Sequence, residues 1–310
     1  MTAAPADWSN EAAPAKVNLY LHVIDRRVDG YHRLDSLIVF AGIHDTIAVA
    51  PGEGLNLELG GPFASPLSDA QATAGMGENL MIRAARRLAE AAGVRPDAAL
   101  RLYKRLPVAA GLGGGSADAA AVLRALARLW GVRPAASDLR ALALELGADV
   151  PVCLRSEAAF VGGIGESLDA APALPVAYLL LVNPGVRLST SEVFAAREGA
   201  FSEPARFADP PARTRDLAAL LEARANDLEP PARALAPEIG PCLRWLSKRP
   251  GCLLARMSGS GATCYGLFER AEEARLAARA IEEEGLAWWA GDGPLIRRLD
   301  ELACRRWGLP

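Results

Sequence analysis

The glycine-rich segment 107–117, with the sequence PVAAGLGGGSA, is the feature that most constrains how this chain can fold. It follows a strand predicted over 98–104 and precedes a helix predicted over 116–130. Its four glycines allow backbone amides to approach a ligand without an intervening Cβ. The helix that follows directs free N–H groups and a partial positive charge toward the same place. The segment therefore predicts a cradle for phosphate oxygens, in which Ser116 caps the helix or binds a phosphate or its metal ion.

Segment 107–117 differs from three better-known glycine motifs. A Walker A loop requires Gly-Lys followed by Ser or Thr, and this segment contains no lysine. A dinucleotide-binding fingerprint requires a third glycine at the position that Ser116 occupies. A serine-hydrolase elbow requires a glycine two residues after its serine, where this chain has Asp118. Because four glycines open an apolar helix, we interpret the segment as a phosphate loop of another kind rather than as a mobile turn.

Lysine is scarce in this chain. Of its 34 lysine and arginine residues, only three are lysines: Lys16, Lys104 and Lys248. Arginine therefore serves wherever a generic positive charge is enough, and a remaining lysine is more often selected for its compact, tunable ammonium group. For Lys248 we retain the interpretation that it remains by chance. For Lys16 and Lys104 the neighbouring motifs favour a functional role.

The segment 146–151, with the sequence LGADVP, contains a second candidate residue, Asp149. A helix is predicted to start from a cap at Ser137 and to end near the beginning of this segment. Pro151 disfavours helical backbone at Val150, so Asp149 is expected in a turn. A turn or N-cap aspartate is the simplest interpretation. Its place between predicted buried elements, just after the phosphate loop and its helix, favours a functional carboxylate.

The first predicted strand also carries polar residues of interest. Residues 14–23 alternate between apolar and polar types, which predicts a strand with one buried face. Lys16 and Asn18 are two residues apart and therefore share a face. Polar strand residues usually face solvent, but the scarcity of lysine weighs against that interpretation here. After a polar turn, Tyr31 and His32 offer a flat ring and a hydrogen-bonding imidazole, which suit a heterocyclic ligand.

A glycine- and serine-rich link, 258–261, joins two apolar strands predicted within 252–268. Its short hydroxyl side chains and flexible backbone are able to bind phosphate or to pack closely against another loop. Many hairpins have a similar sequence, so this segment gains meaning only together with the others.

Strands and helices alternate irregularly along the chain, and hairpins outnumber strand–helix–strand units. We therefore predict an α+β fold in two layers. A length of 310 residues agrees with two domains. The proline-containing segment 166–176 is the candidate junction, which gives domains at 1–165 and 166–310.

Composition excludes several classes of protein. A net charge of -3 argues against a dedicated nucleic-acid binder. The longest apolar run has about seven residues, whereas a bilayer span needs about 20. No basic residue precedes Lys16, so a secretory signal is not expected. Five cysteines without a CxxC pair indicate thiols in a reducing cytoplasm. We expect a cytoplasmic protein with a small-molecule substrate and without nucleic-acid or membrane partners.

Three of these segments together resemble the motifs of the GHMP small-molecule kinases. They are 14–19 (PAKVNL), 111–116 (GLGGGS) and 258–261 (SGSG). Further matches at 29–32 (DGYH), 104–107 (KRLP) and 146–151 (LGADVP) make the chain similar to members that phosphorylate a cytidine-diphosphate-linked polyol, on a route to isoprenoid precursors. The resemblance implies a two-domain GHMP kinase fold with an N-terminal ATP-binding domain and a C-terminal domain on the substrate side. It also implies that the chain uses ATP and Mg²⁺.

The resemblance also assigns roles to individual residues. Asp149 corresponds to the catalytic base and Lys16 to the lysine beside it, whereas the acidic Mg²⁺ ligand of some GHMP kinases has no assigned counterpart here, which leaves Ser116 as the candidate ligand. The residues expected to bind ATP are Asn79, Lys104, Pro107, Val108, Ala109, Ala110, Gly111, Leu112, Gly113, Gly114, Gly115, Ser116 and Ala117. The residues expected to bind the polyol substrate are Asn18, Tyr31, His32, Thr190 and Phe194, with Tyr31 and Phe194 on the two faces of the cytosine.

Three other functions remain open from the sequence. A kinase for another small alcohol, of the homoserine or mevalonate type, would not need Tyr31 and His32, because those substrates have no base. A non-catalytic ligand-binding regulator of the same fold would not need the pair formed by Lys16 and Asp149. A dinucleotide-dependent oxidoreductase would need a third glycine in the loop, and this chain has Ser116 at that position. We also expect residues 61–78 to form a loop that closes over ATP, whereas the tail after about residue 284 contains no motif that we identify.

Overall fold

The first two strands form a long antiparallel pair on which the rest of the fold is built. The computed structural model describes residues 7–65 and 79–302. Strand β1 (Ser9–Arg26) turns at Gly30, whose φ is 90°, into β2 (His32–Ala50). Strand β2 is rich in β-branched and aromatic residues, which favour extended backbone.

The strands join into one ten-stranded sheet of mixed direction. Its main order is β3-β4-β2-β10-β7-β9-β8, while β1 and β5 also pair with β2, and β6 pairs with β5. Strands β3 and β4 are parallel, whereas the other pairs are antiparallel. The remaining strands are β3 (Leu55–Gly60), β4 (Ala98–Tyr103), β5 (Ala159–Gly163), β6 (Ser167–Ala170), β7 (Tyr178–Asn183), β8 (Cys252–Met257), β9 (Cys264–Phe268) and β10 (Trp289–Ile296).

Helices cover the sheet and bury its apolar side chains in three clusters. One cluster lies under the helices of residues 80–146, a second lies around β1 and the helix at 214–222, and a third lies under the helices at 239–247 and 271–283. The helices are α1 (Leu80–Ala92), α2 (Gly114–Leu129), α3 (Ala136–Leu146), α4 (Val150–Arg155), α5 (Thr190–Ala195), α6 (Thr214–Glu222), α7 (Glu229–Leu235), α8 (Ile239–Ser247) and α9 (Ala271–Glu283), and a short 3₁₀ turn (Leu299–Glu301) follows β10. The predicted α+β class is confirmed.

Strand β1 is buried on both faces, so the prediction of a single buried face was wrong. Lys16 is only 6% exposed and Asn18 only 4%, although both lie on the polar face. Tyr20 and His22 on that face are buried as well. The polar face is buried because the glycine-rich loop packs against Lys16, while segments from the second half of the chain contact Asn18 and His22. The alternation of β1 therefore separates an apolar core from a buried polar site rather than a core from solvent.

Strand β10 falls in the tail where the sequence analysis finds no motif. It pairs with β7 from Trp289↔Asn183 to Pro294↔Tyr178 and with β2 through Leu295 and Ile296, so it joins the two halves of the sheet. Glycine and proline make its sequence a weak predictor of a strand. The pairing also depends on Gly42 in β2, because a Cβ there would lie 2.5 Å from the Pro294 ring.

Two helix boundaries differ from prediction. Val150 is helical, because Pro151 lies in the first turn of α4, where its missing N–H costs no helical hydrogen bond. Ser137 is not the cap of α3, since Ala135 occupies the N-cap and the Ser137 hydroxyl contacts Asp138. Asn79 is the N-cap of α1, because its side chain accepts a hydrogen bond from the Met81 N–H.

Most of the loop predicted over 61–78 lies outside the described residues, which leave out 66–78. The domain boundary after residue 165 stays a prediction. In the two stretches that the structure describes, no helix has the length and hydrophobicity needed to cross a membrane.

Arg256 connects the second half of the chain to β1. It is 8% exposed, and its guanidinium donates hydrogen bonds to the carbonyl oxygens of Leu19 (2.9 Å), Leu221 (2.9 Å) and Arg224 (2.7 Å). A single buried cation thus satisfies backbone acceptors of β1, of α6 and of the residues after α6. Charged donors of this kind contribute more than neutral ones.

We expect Arg256→Met to lower the free energy of unfolding by about 2–4 kcal/mol, because buried carbonyl groups lose a charged donor. Urea denaturation monitored by circular dichroism measures this change. Arg275→Met is the matched control, because Arg275 is exposed on α9. A change for Arg256→Met no larger than that of the control would contradict the structural role.

Candidate active site

The phosphate loop leaves the N-terminus of α2 open. The helix begins at Gly114, and its N-cap residue, Gly113, has φ 61° and no side chain. Ser116 lies in the first turn and does not cap the helix, which removes one of its two predicted roles. A Cβ at Gly115 would meet no described atom within 4 Å. The free N–H groups of a sixteen-residue helix therefore face open space, which is the arrangement that binds phosphate oxygens.

Two glycines of the loop are required by close contacts. The Lys16 N–H donates to the Leu112 carbonyl (2.9 Å), and a Cβ at Gly113 would lie 3.3 Å from Lys16 Cε. Gly111, with φ 75°, lies against the link 258–261, since a Cβ there would lie 2.5 Å from the carbonyl oxygen of Gly261. The loop is thus held between β1 and the link, and side chains at these positions would push it away.

The link 258–261 completes the junction. The Asn18 N–H donates to the hydroxyl of Ser258 (3.1 Å), and the Thr263 N–H donates to the Ala110 carbonyl (3.3 Å). The three motif segments, which are more than 90 residues apart in the chain, therefore meet at one place. The predicted ATP residues from Ala110 to Ser116 lie at this junction.

Lys16 and Asp149 form an ion pair at this junction. Lys16 Nζ lies 3.0 Å from Asp149 Oδ2, although the residues are 133 positions apart. The Lys16 side chain is 7% exposed, whereas that of Asp149 is 42% exposed. Asp149 occupies the N-cap position of α4, but its carboxylate does not cap the helix. The carboxylate is therefore accessible to a ligand on one side and held by a buried ammonium on the other.

Asn18 and Thr190 lie near the same junction. Asn18 Nδ2 donates to the Ser36 hydroxyl (2.8 Å), while its buried Oδ1 has no hydrogen-bond partner among the described residues. A Cβ at Gly259 would lie 3.3 Å from that oxygen. Thr190 contacts the Ser260 hydroxyl (2.8 Å) from the start of α5. Asn18 therefore offers a free acceptor to a ligand that donates a hydrogen bond.

Lys104 is buried beneath the phosphate loop rather than open to it. Its ammonium lies 2.6 Å from Asp45 Oδ2 and 2.5 Å from Asp118 Oδ2, and its side chain is 3% exposed. Asp45 Oδ1 also accepts the N–H groups of Arg105 (2.6 Å) and Leu106 (2.8 Å). A Cβ at Gly114 would lie 3.1 Å from Lys104 Nζ, so this cluster sets the position of the loop and of the first turn of α2. Contact between Lys104 and the nucleotide stays a prediction.

The charges of this cluster do not balance when both carboxylates are ionised. Burial raises the pKa of Asp118 to about 7, an effect that Lys104 opposes and Asp45 increases. Burial lowers the pKa of Lys104, but the two carboxylates outweigh it and raise that pKa overall. Asp118 Oδ1 is buried without a partner in the described part of the chain. Burial and the second carboxylate therefore favour the protonated form of Asp118 up to a higher pH than usual, against the opposing effect of Lys104.

The predicted base-binding residues lie at the other end of the β1–β2 pair. The ring of His32 stacks on the ring of Phe194, with 5.1 Å between centroids and 21° between planes. Burial, together with Arg26 and Arg197, lowers the pKa of His32, so its imidazole is neutral near pH 7. Tyr31 is 62% exposed at the turn. The stacking of His32 on Phe194 was not predicted, and the arrangement of Tyr31 and Phe194 around a cytosine stays a prediction.

Comparison with known proteins identifies the family. Residues 79–157 match the family described as GHMP kinases N terminal domain, and residues 211–286 match GHMP kinases C terminal. The chain is 54% identical to the 4-diphosphocytidyl-2-C-methyl-D-erythritol kinase of Rhodospirillum rubrum, over 94% of each chain. The chain belongs to the GHMP kinase family.

Further relatives support a narrower placement within the GHMP kinases. The kinase of the same name from Paramagnetospirillum magneticum is 54% identical and is covered over 97% of its length, with 92% of this chain. A crystal structure titled 4-(cytidine 5'-diphospho)-2C-methyl-D-erythritol kinase is 38% identical, with a TM-score of 0.74, and covers 93% of this chain and all of that one. The GHMP kinase described here is therefore an ATP-dependent kinase, and the predicted fold class is confirmed.

Sequence analysis of this GHMP kinase missed Asp45 and Asp118. Asp45 lies in β2, where nothing in its neighbourhood distinguishes it from a surface residue. Asp118 does carry a signal, because it is the one charged residue among the small and apolar residues that open α2. Because Asp118 is buried, its carboxyl group needs a polar partner, and Lys104 provides it.

We expect Asp118→Asn to change how stability depends on pH. The pKa of Asp118 is about 7 in the folded protein and 3.8 as the ordinary value, so folding takes up a proton between about pH 4 and pH 7. The contribution of this residue to stability is therefore present at low pH and is lost as pH rises through about 7. The asparagine variant lacks this loss, because its side chain is always neutral.

The measurement is the free energy of unfolding in urea at several pH values for both proteins. The free energy of unfolding of the variant minus that of the wild type is expected to rise between about pH 4 and pH 7 and to be constant above pH 7. Asp138→Asn, which changes an exposed aspartate on α3, is the control and is expected to show no such rise. A pH-independent difference for Asp118→Asn would contradict the assignment.

Proposed function

We propose that this GHMP kinase transfers the γ-phosphate of ATP to the 2-hydroxyl of 4-diphosphocytidyl-2-C-methyl-D-erythritol, in the synthesis of isoprenoid precursors. The observation that carries the proposal is the Lys16–Asp149 ion pair beside the open N-terminus of α2, in a chain whose relatives at 50–54% identity have this kinase name. A GHMP kinase for homoserine or mevalonate is not favoured by these relatives.

Asp149 is the proposed proton acceptor. In the transfer, the substrate oxygen forms a bond to the γ-phosphorus as the bond to the ADP oxygen breaks, and the hydroxyl proton passes to Asp149. Lys16, 3.0 Å away and buried, stabilises the ionised carboxylate before the transfer. The same ammonium is available to stabilise charge on the moving phosphoryl group. Phosphoryl transfer depends mainly on such positioning and charge stabilisation.

The phosphate loop is the proposed site for ATP. The free N–H groups of α2 hold its phosphate oxygens, and the packing of Gly111 and Gly113 keeps the loop in place. The side chain of Asn79 caps α1, so its proposed contact with the nucleotide would use its remaining amide N–H groups. Asp149 lies at the same junction, where it is the proposed acceptor of the hydroxyl proton of the second substrate.

The residues of the loop fit a magnesium ion that is held mainly by the phosphates of ATP. No group of three or more histidine, cysteine, aspartate or glutamate side chains is placed to hold a metal within residues 7–65 and 79–302. Magnesium in kinases needs only one or two protein ligands, since phosphate oxygens and water supply the others. We propose the hydroxyl of Ser116, in the first turn of α2, as that ligand. When bound, magnesium neutralises charge on the phosphate oxygens.

The cytosine of the substrate is proposed to bind at Tyr31, His32 and Phe194. Stacking on an aromatic ring contributes roughly 1–3 kcal/mol per base in nucleic-acid systems. A neutral imidazole at His32 is able to donate one hydrogen bond and accept another at the edge of the base. Asn18 Oδ1 and the Thr190 hydroxyl are proposed contacts for the methylerythritol hydroxyl and the diphosphate.

We also propose that the reaction takes place in the cytoplasm. The four cysteines among the described residues are free thiols, which fits a reducing compartment.

The roles of Asp149 and Lys16 predict large losses of turnover. We expect Asp149→Asn to lower kcat by about 10²–10⁴, which is the usual contribution of a positioned proton acceptor. Lys16→Met is expected to lower kcat by at least about tenfold, because the developing charge loses a partner. The measurement is steady-state ADP release with saturating substrates.

The scarcity of lysine provides a matched control. Lys248→Met removes an exposed lysine at the end of α8 and is expected to keep wild-type kcat, as is Asp138→Asn on α3. Near-wild-type turnover by folded Asp149→Asn would refute its role as the proton acceptor.

A panel of acceptor alcohols tests the substrate. The panel contains the proposed cytidine substrate, its uridine analogue, unlinked 2-C-methyl-D-erythritol 4-phosphate, mevalonate and homoserine. We expect ATP consumption with the cytidine compound, much less with the uridine compound, and none with the others. The physical reason is that the proposed site at Tyr31, His32 and Phe194 binds a base, which the last three compounds lack. The proposed hydrogen bonds of His32 are made to the edge of the base, where cytosine and uracil differ.

Two other outcomes of the panel would change the proposal. Turnover of mevalonate or homoserine would keep the kinase chemistry and reject the base site. Binding of ATP without turnover of any alcohol would favour a ligand-binding regulator of the same fold.

A further inference from the structure

Residues 202–206, which we call the strap, follow α5 in the chain and are hydrogen-bonded to β1. The Ser202 N–H donates to the carbonyl oxygen of Val23 (3.0 Å). The ring nitrogen Nδ1 of His22 lies 2.9 Å from the carbonyl oxygen of Glu203. The strap therefore lies along the buried polar side of β1, close to the turn that carries Tyr31.

Asp35 binds the other end of the strap. Its Oδ2 accepts hydrogen bonds from the Ala205 N–H (2.8 Å) and from the Tyr20 hydroxyl (2.9 Å). Its Oδ1 accepts a hydrogen bond from Arg206 Nε (2.8 Å). The side chain of Asp35 is only 3% exposed. A buried carboxylate with three donors is a strong and directional anchor, and the loss of any donor leaves it poorly satisfied.

The side chains around Asp35 are hydrogen-bond donors. Burial and the neighbouring Asp35 carboxylate raise the pKa of Tyr20, so the phenol remains a donor. Arg224 Nε donates to the carbonyl oxygen of Ala205 (2.6 Å), and its guanidinium lies over the Tyr20 ring. The strap is thus held on both sides of one residue, Ala205, by a carboxylate at its N–H and by a guanidinium at its carbonyl.

The strap connects this anchor to the proposed base site. Asp35 lies three residues after His32 on β2, and Phe194, which stacks on His32, lies on α5 just before the strap. Thr190 at the start of α5 is held by the Ser260 hydroxyl. The six residues that connect α5 to the strap form a short turn in which Arg197 covers the ring of Phe201. The segment that carries Phe194 is therefore held by Thr190 at its start, by the buried Val193 within α5 and by Asp35 at the strap.

We propose that Asp35 is a positioning residue for recognition of the cytidine end of the substrate. It acts through the strap, by keeping α5 and Phe194 against His32, and it touches neither the phosphate loop nor the Lys16–Asp149 pair. This inference rests on the proposed function, because it takes the His32–Phe194 stack as the base site. It predicts that a change at Asp35 alters the affinity for the cytidine compound and leaves phosphoryl transfer and ATP binding unchanged.

The test uses Asp35→Asn in the full chain. The amide offers one acceptor oxygen in place of two, so the N–H of Ala205 or of Arg206 must face another donor. We expect KM for the cytidine substrate to rise about tenfold, with kcat and the KM for ATP within about twofold of wild type. Calorimetric titration with CDP alone is expected to show a similar rise in Kd, and it needs no turnover.

Asp169→Asn is the matched control. Asp169 Oδ2 accepts the second hydrogen bond of Arg206 (2.6 Å), but its side chain is 58% exposed and it does not contact the strap backbone. This variant removes a carboxylate from the same guanidinium and leaves all contacts of Asp35 in place. We expect its KM, kcat and CDP affinity to remain within about twofold of wild type.

A second variant keeps the test decisive if Asp35→Asn does not fold by circular dichroism. Arg206→Met removes one donor to Asp35 from a partly exposed side chain and leaves the Ala205 and Tyr20 contacts. We expect it to raise KM for the cytidine substrate and the Kd for CDP in the same direction by a smaller factor. Asp169→Asn is its control as well.

Unchanged KM and CDP affinity in the folded variants would overturn the inference, as would an equal loss in kcat and in the KM for ATP, which would indicate general damage. Failure of the proposed function gives a different result. If the wild type binds CDP in an Asp35-dependent manner but does not phosphorylate the cytidine substrate, the proposed function fails and the positioning role stands. If the wild type does not bind CDP, the positioning role is refuted.

Discussion

The close approach of three backbone segments at the middle of β1 is the constraint on which the rest of the structure depends. The phosphate loop contacts Lys16 on one side and the link 258–261 on the other, and the contact with the link is at a distance that only glycine permits at Gly111. A helix N-terminus, a lysine and the accessible carboxylate of Asp149 are thereby brought to one point. The loop is held by backbone contacts, so its N–H groups remain free for a ligand.

Two sets of buried charged groups stabilise the elements around this junction. The cluster of Lys104, Asp45 and Asp118 lies under the first turn of α2, and Asp35 holds the strap beside β1. Each group is costly to bury alone and is stabilised by donors and acceptors from distant parts of the chain. Such clusters define one geometry, because a shift of any element leaves a buried charge without a partner. The site therefore relies on polar contacts where most of the sheet relies on apolar packing.

The sequence predicted those parts of the site that depend on local geometry. Four glycines directly before an apolar helix predict a phosphate cradle, and the scarcity of lysine directed attention to Lys16. The spacing of Lys16 and Asn18 placed them on one strand face. The role of Asp149 rested on resemblance, because a lone aspartate near a proline is more often a turn residue. Lys104 was singled out for the nucleotide, but its partners, Asp45 and Asp118, were not predicted.

By itself the sequence determined the glycine-rich loop and the helix that follows it, the α+β class and the family, because each depends on residues that are near neighbours in the chain or on short motifs. Only the tertiary structure decided that β10 joins the two halves of the sheet, that both faces of β1 are buried, and that His32 stacks on Phe194. These features depend on contacts between residues that are far apart in the chain. A residue such as Asp35 has the same local appearance whether it faces water or anchors a strap, and the difference comes from which distant donors the fold places around it.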